Sequence, residues 1–251
     1  MRERLLFMGP PGSGKSEQML NIASYIEDLG LPMHIIDLED KMEAMILNRE
    51  NPPKNINLFV ALAWDEEESK VSQGGLKQIT DKIGTVAKPG DWIGIDRIDL
   101  SWPMVQRWFT QEKYKESLAE LMMGKSKAMS KSSMFIPRFD QGSWQVINEQ
   151  YEEFILKLLY RYRCNVIMTT GIKGRDDNSP LDIGRLGYLP RGQKEMGHQP
   201  NGLFLLYQKK EGREVTWRIT TDKDLKMRDY FENEELFDFS VQYLAFYYKQ
   251  E

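Results

Sequence analysis

Residues 9–16 read Gly9-Pro10-Pro11-Gly12-Ser13-Gly14-Lys15-Ser16. The run fits the spacing G-x-x-x-x-G-K-[ST] without departure. Leu5–Met8 before it is apolar and reads as a short buried strand. After it, from Lys15 to Leu29, Met19, Ile22, Ala23, Ile26 and Leu29 recur on one helical face, and Gly30 supplies a stop. Strand, glycine-rich turn and helix in that order make a phosphate-binding loop. Its glycines let backbone N–H groups turn inward as an anion nest, and the helix N-terminus adds partial positive charge. Gly9, Pro10, Pro11, Gly12, Ser13 and Gly14 then form the cradle. Lys15 is expected to reach the β- and γ-phosphates, and the Ser16 hydroxyl to ligate Mg²⁺. The expected cofactors are ATP and Mg²⁺.

Outward from the loop, strands alternate with helices. His34–Leu38, Ile56–Val60, Trp92–Ile95 and Asn165–Thr169 read as strands. A weaker helix covers about Glu67–Val86, interrupted by Gly74-Gly75. The clearest helical stripe is Trp144, Ile147, Tyr151, Phe154, Ile155, Leu158 and Tyr162, which leads directly into the Asn165 strand. Gly202–Tyr207 and Val215–Thr220 read as a hairpin across the polar Lys209–Arg213 turn, and Glu234–Tyr248 as a closing helix. This order predicts an α/β fold, one mainly parallel sheet covered by helices on both faces, in a single domain over 1–251. Two stretches stand outside the alternation, Pro103–Gly142 and Gly171–Asn201. Long irregular segments in a compact domain are usually functional or disordered.

Bulk properties narrow the class. The 251 residues are 41% hydrophobic and 29% charged, as in ordinary globular proteins. A formal charge of −4 excludes a uniformly basic coat, though not a local basic groove. The single cysteine, Cys164, cannot form an internal disulfide and reads as a small core residue. His34 and His198 lack metal-ligand partners, so no zinc site is expected. No apolar run approaches the ~20 residues of a membrane helix. The opening Met1-Arg2-Glu3-Arg4 is too short for a signal peptide, and a cytoplasmic location is expected.

Two acidic elements complete the chemistry. Trp92-Ile-Gly-Ile-Asp96 is an apolar strand ending in an acid, as a Walker B element requires, and Asp96 is expected to support Mg²⁺. Asp99, three residues later, is its rival. Ile35-Ile36-Asp37-Leu38-Glu39 places two acids at the end of the next strand, where a carboxylate can activate water against the γ-phosphate.

With these residues in hand, the chain resembles the RecA/KaiC-type P-loop ATPases, especially the small phage-encoded RecA-like recombination ATPases. The likeness covers most of residues 1–230, and only the phosphate loop is specific in isolation. It implies a RecA-like core with a C-terminal hairpin and helix. It also implies Glu39 as catalytic base and a γ-phosphate sensor at Thr169, in Val166-Ile-Met-Thr169-Thr170. Lys226-Met-Arg228 resembles the family's basic pair that enters a neighbour's active site. The resemblance therefore implies head-to-tail self-association into a ring or filament, and action in DNA recombination, repair or replication. Single-stranded DNA would bind the irregular stretches, with Trp108, Tyr114, Phe135 and Tyr188 available for stacking. Hydroxyls replace the sensor amide of RecA, and the 103–142 segment is long for the family.

Two other readings remain open. One is a nucleoside monophosphate kinase, with Arg175, Arg185 and Arg191 as a lid. The other is a nucleotide-gated interaction module without hydrolysis. Strand order separates the first from a RecA-like protein: RecA-like sheets insert a strand between the loop-bearing strand and the Walker B strand, whereas many kinases set these two side by side.

Overall fold

The structure, a computed structural model, describes residues 2–60, 64–65, 70–71, 74–114, 139–175, 186–212, 214–225, 231–236 and 239–248. The chain begins with β1 (Arg4–Met8), α1 (Lys15–Glu27), β2 (Met33–Asp37), a short α2 (Met42–Leu47) and β3 (Ile56–Val60). A small pair, β4 (Trp64–Asp65) and β5 (Lys70–Val71), precedes α3 (Gly74–Val86) and β6 (Trp92–Asp96). Then come α4 (Ser101–Tyr114), α5 (Gln141–Leu156) and β7 (Asn165–Thr170). β8 (Ile172–Gly174) and β9 (Tyr188–Pro190) form a second small pair. The rest is β10 (Gly202–Glu211), β11 (Glu214–Asp224), β12 (Glu234–Glu235) and α6 (Phe239–Tyr248).

One eight-stranded sheet carries the molecule, in the order β12-β11-β10-β1-β7-β6-β2-β3. From β10 to β3 every neighbouring pair is parallel, and β11 and β12 extend the edge by antiparallel pairing. β7 lies between β1 and β6. That inserted strand is the RecA-like arrangement and counts against the kinase reading.

The period-2 alternation of each strand divides the core into two layers. Leu5 and Phe7 of β1 face a layer with Met19, Ile22, Ala23 and Ile26 of α1 and Phe239 and Tyr243 of α6. Leu6 and Met8 face the opposite layer, with Ile79 and Ile83 of α3, Val105 of α4, and Tyr151 and Ile155 of α5. Each large apolar side chain buried this way contributes about 1.5–3 kcal/mol. Under β10, Phe204 lies at the centre of an aromatic cluster, its ring 5.0 Å from Phe239, 5.6 Å from Tyr243, 5.8 Å from Phe7 and 6.5 Å from Phe231. Among the described residues no helix is long and apolar enough to cross a membrane.

Several sequence expectations shift. α1 stops at Glu27, and Leu29 is exposed instead of joining the buried face. Gly30 ends the helix as expected, through Leu31 N–H to Ile26 O (3.0 Å) and Gly30 N–H to Glu27 O (2.8 Å). Gly74-Gly75 begins α3 and does not interrupt a longer helix. The Pro103–Gly142 stretch is helical at both ends, in α4 and α5, with 115–138 outside the described residues. The C-terminal hairpin is longer than its apolar alternation suggests, because β10 and β11 continue pairing to Glu211↔Glu214. Glu234-Glu235 pairs with β11, and the closing helix starts only at Phe239. Cys164 is buried as expected, its Sγ donating to Lys88 O (3.3 Å), and burial pushes the thiol pKa up to about 12.

Phe204→Ala leaves a cavity where four other aromatic rings meet. It is expected to cost about 3–5 kcal/mol, read as a lower urea midpoint with little change in slope.

Candidate functional site

In a parallel sheet the C-terminal ends of neighbouring strands lie along one edge, and loops leaving that edge converge. Here Asp37 pairs with Asp96, and Met8 with Thr170, at the strand ends. The edge opens into a pocket of about 630 Å³ lined by Gly9–Ser16, Glu39, Lys41, Arg97 and Arg191. A smaller, mainly apolar groove of about 160 Å³ among α3, α4 and α5 holds none of the candidate phosphate- or metal-binding residues, though Trp108 lines it.

The phosphate loop requires its glycines at two points in particular. A Cβ on Gly9 would lie 2.2 Å from Leu206 O, so β10 passes too close for any side chain. Gly14 sits at φ 89° directly before α1, and a Cβ there would lie 2.7 Å from Leu236 Cδ2. The loop is also held from the far end of the chain. Gln208 Nε2 and Trp217 Nε1 both donate to Gly12 O, at 3.0 and 3.1 Å. Two donors on one carbonyl fix the orientation of the peptide plane that follows it.

Lys15 is nearly buried, and its ammonium folds back onto the loop. It donates to Gly9 O (3.0 Å), Pro10 O (2.8 Å) and Ser13 Oγ (3.2 Å). Burial lowers its pKa to about 8, helped by the charges of Arg97 and Lys41 and opposed by Asp96 and Asp99.

Asp96 is fully buried. Its Oδ1 accepts hydroxyl protons from Ser16 Oγ and Thr169 Oγ1, both at 2.7 Å. Its Oδ2 is buried and accepts no hydrogen bond, with Lys41 Nζ 3.5 Å away. Lys41 offsets the charge of that oxygen without hydrogen-bonding it, and a cation in direct contact would complete it. Oxygen donors from a Ser and an Asp are the hard ligands that suit Mg²⁺. Ser16 and Asp96 therefore fit the metal. Asp99 is engaged elsewhere, by both arms of Arg97 at 2.9 and 3.0 Å.

The two acids of the β2 end differ in what they do. Asp37 is buried, and its carboxylate accepts the backbone N–H groups of Glu39 (2.9 Å), Lys41 (2.7 Å) and Met42 (2.6 Å). It caps the start of α2 and shapes the turn. Glu39 instead lines the pocket, ion-paired with both Lys41 and Arg97. Arg97 adopts a left-handed conformation (φ 62°), which costs a non-glycine residue roughly 1–3 kcal/mol. Its N–H donates to Thr169 Oγ1 at 2.8 Å, so the strained residue is tied to the end of β7.

The structure thus brings together Gly9–Ser16, Glu39, Asp96 and Thr169. Lys226 and Arg228 lie outside the described residues. Sequence reasoning missed Lys41, Arg97, Gln208 and Trp217. The first two carried a signal, being basic residues beside Glu39 and Asp96. The other two lie 196 and 205 residues from Gly12 and carried none.

Strand order and loop together define an α/β P-loop fold of RecA-like arrangement. No family model matches the sequence, and no curated protein is similar to it at a significant level. Among solved structures, the crystal structure of a KaiC-like protein from the hyperthermophilic archaeon Pyrococcus horikoshii is similar. It shares 15% identity over 92% of this chain and 83% of that chain, with a TM-score of 0.47.

Two predictions follow from this geometry. Trp217→Phe keeps the ring and removes one donor from Gly12 O. It is expected to weaken nucleotide binding about 2–10-fold, the worth of one net hydrogen bond, measured by calorimetric titration. Phosphates beside Lys15 favour its charged form and raise its pKa on binding. Below about pH 8 the group is charged before and after binding, so affinity is insensitive to it. Above that value binding takes up a proton, and affinity falls by up to about tenfold per pH unit. Titrations in buffers of different ionisation heat, at about pH 7 and about pH 9, read that proton directly.

Proposed function

We propose that the protein binds ATP with Mg²⁺ in this pocket and hydrolyses it, as a RecA-like ATPase. The observation that carries the reading is the Asp96 carboxylate. One of its oxygens is shared by Ser16 of the phosphate loop and Thr169 of the next core strand, and the other is buried without a hydrogen bond. Lys15 and the loop N–H groups bind phosphate, and Ser16 and Asp96 hold the metal. When bound, Mg²⁺ neutralises charge on the phosphate oxygens. Thr169, whose hydroxyl donates to Asp96, acts as sensor through that carboxylate, and Glu39 orients and deprotonates the attacking water. Lys226 and Arg228 act in trans in a head-to-tail assembly.

We further propose that turnover is coupled to single-stranded DNA, in recombination, repair or replication. Support comes from chain position. The segments after β6 and β7 leave the same sheet edge as the site, and the β8–β9 pair exposes Lys173 and Tyr188 there. Cation and ring together suit a single strand.

One observation favours the nucleotide-gated alternative. Both oxygens of the Glu39 carboxylate are occupied by cations, Lys41 and Arg97, and in that arrangement neither is open to a water, so ATP binds without turnover. Hydrolysis assays of wild type, Lys15→Ala and Glu39→Gln, with and without single-stranded DNA, decide between them. The ATPase reading expects DNA-stimulated turnover that drops by about 10²–10⁴-fold in Glu39→Gln with ATP binding retained. Lys15→Ala is expected to lose binding and turnover together. Tight ATP binding with no turnover under any condition refutes the ATPase and supports the gated module.

A further inference from the structure

Arg191 belongs to the basic residues of the 171–201 stretch, and the proposed function gives it no task. It follows β9 directly, and its backbone is bound to the end of β7 on both sides. Arg191 N–H donates to Gly171 O (2.9 Å), and Thr170 Oγ1 donates to Arg191 O (2.8 Å). β7 is the strand that carries Thr169, so residue 191 is anchored one residue beyond the sensor position. Its side chain runs over Gly171. A Cβ built on that glycine would lie 3.6 Å from Arg191 Cδ and 3.7 Å from its Nε.

From there Arg191 lines the phosphate pocket together with Lys15, Lys41 and Arg97. The four cations are not equivalent. Lys41 is paired with Glu39 and Asp96, and Arg97 with Glu39 and Asp99. Lys15 is folded onto the loop carbonyls. Among the described residues, no carboxylate pairs with the Arg191 guanidinium, and the residue is exposed to the pocket mouth. A cation left unpaired beside an anion-binding loop is positioned for the anion. A guanidinium also offers a planar fork that matches two phosphate oxygens at once.

We infer that Arg191 is a phosphate-contacting residue supplied by the same subunit, and that it engages the terminal phosphate of the bound triphosphate and so separates ATP from ADP. The inference rests on the nucleotide reading above and adds to it a cationic group that needs no neighbouring subunit. Its anchoring puts the guanidinium beside the end of β7, the strand proposed to report the γ-phosphate, whereas the loop and Lys15 serve both nucleotides.

The test is calorimetric titration of the full chain with a non-hydrolysable ATP analogue and with ADP, each with Mg²⁺. Wild type, Arg191→Ala, Arg191→Lys and Lys15→Ala are compared. Arg191→Ala is expected to lose roughly 10–100-fold in affinity for the ATP analogue and less than about threefold for ADP. Arg191→Lys should recover part of the difference, since it keeps the charge without the fork. Lys15→Ala should weaken both nucleotides. Equal losses for the two nucleotides in Arg191→Ala, or no loss, overturn the inference while leaving the nucleotide reading in place. Failure of wild type to bind either nucleotide removes the nucleotide reading and this inference with it. Because Arg191 is exposed, unchanged circular dichroism and melting temperature are expected in both variants.

Discussion

The Asp96 carboxylate joins three parts of the chain that are distant in sequence. Ser16 reaches it from the start of α1, Thr169 from the end of β7, and the backbone of Arg97 closes the circuit through Thr169 Oγ1. Such a junction is possible because β7 lies between β1 and β6, so the loop-bearing strand and the acid-bearing strand sit one strand apart. Were the two strands adjacent, the Thr169 hydroxyl would not stand between them. Buried hydroxyl-to-carboxylate bonds are strong in a low-dielectric site and expensive to break singly. The registry of three strand ends is therefore set by one side chain as well as by the backbone ladder.

Local patterns made much of this legible in the sequence. The Gly9–Ser16 spacing specifies a backbone shape directly, and the apolar runs at Leu5–Met8 and Trp92–Asp96 mark strands buried on both faces, whereas the run at Ile56–Val60 forms the half-buried edge strand β3. The stripe from Trp144 to Tyr162 is long enough to fix a helix by period alone. Weaker signals misled where local chemistry was mixed. Ser101–Tyr114 carries a proline and several charges, and its helix is held by packing against α5 (Trp102 against Tyr151 at 5.2 Å). Glu234-Glu235 has no strand propensity; it pairs because β11 offers an open edge.

The site divides along the same line. Asp37 and Glu39 look equivalent in the sequence, two acids spaced by one leucine. Alternation along an extended chain places them on the same side, and only the turn after β2 tells them apart. Asp37 is consumed by three backbone N–H groups, whereas Glu39 stays in the pocket with two cations. Hydrogen bonds made by a residue to its own turn are visible only once the turn exists. The left-handed backbone of Arg97 is likewise invisible to pattern reading, since arginine carries no propensity for it.

The twofold grip on the Gly12 carbonyl has a consequence for biosynthesis. Its donors, Gln208 and Trp217, follow it by 196 and 205 residues. β1 itself is flanked by β7 and β10, both made late. At translation rates of ~5–20 residues per second, the nucleotide loop leaves the ribosome roughly 10–40 seconds before its partners exist. A nascent chain therefore exposes an apolar strand and an unformed anion nest for most of its synthesis. Ligand cannot template the fold early, and the last third of the chain acts as the switch that turns a peptide segment into a binding site.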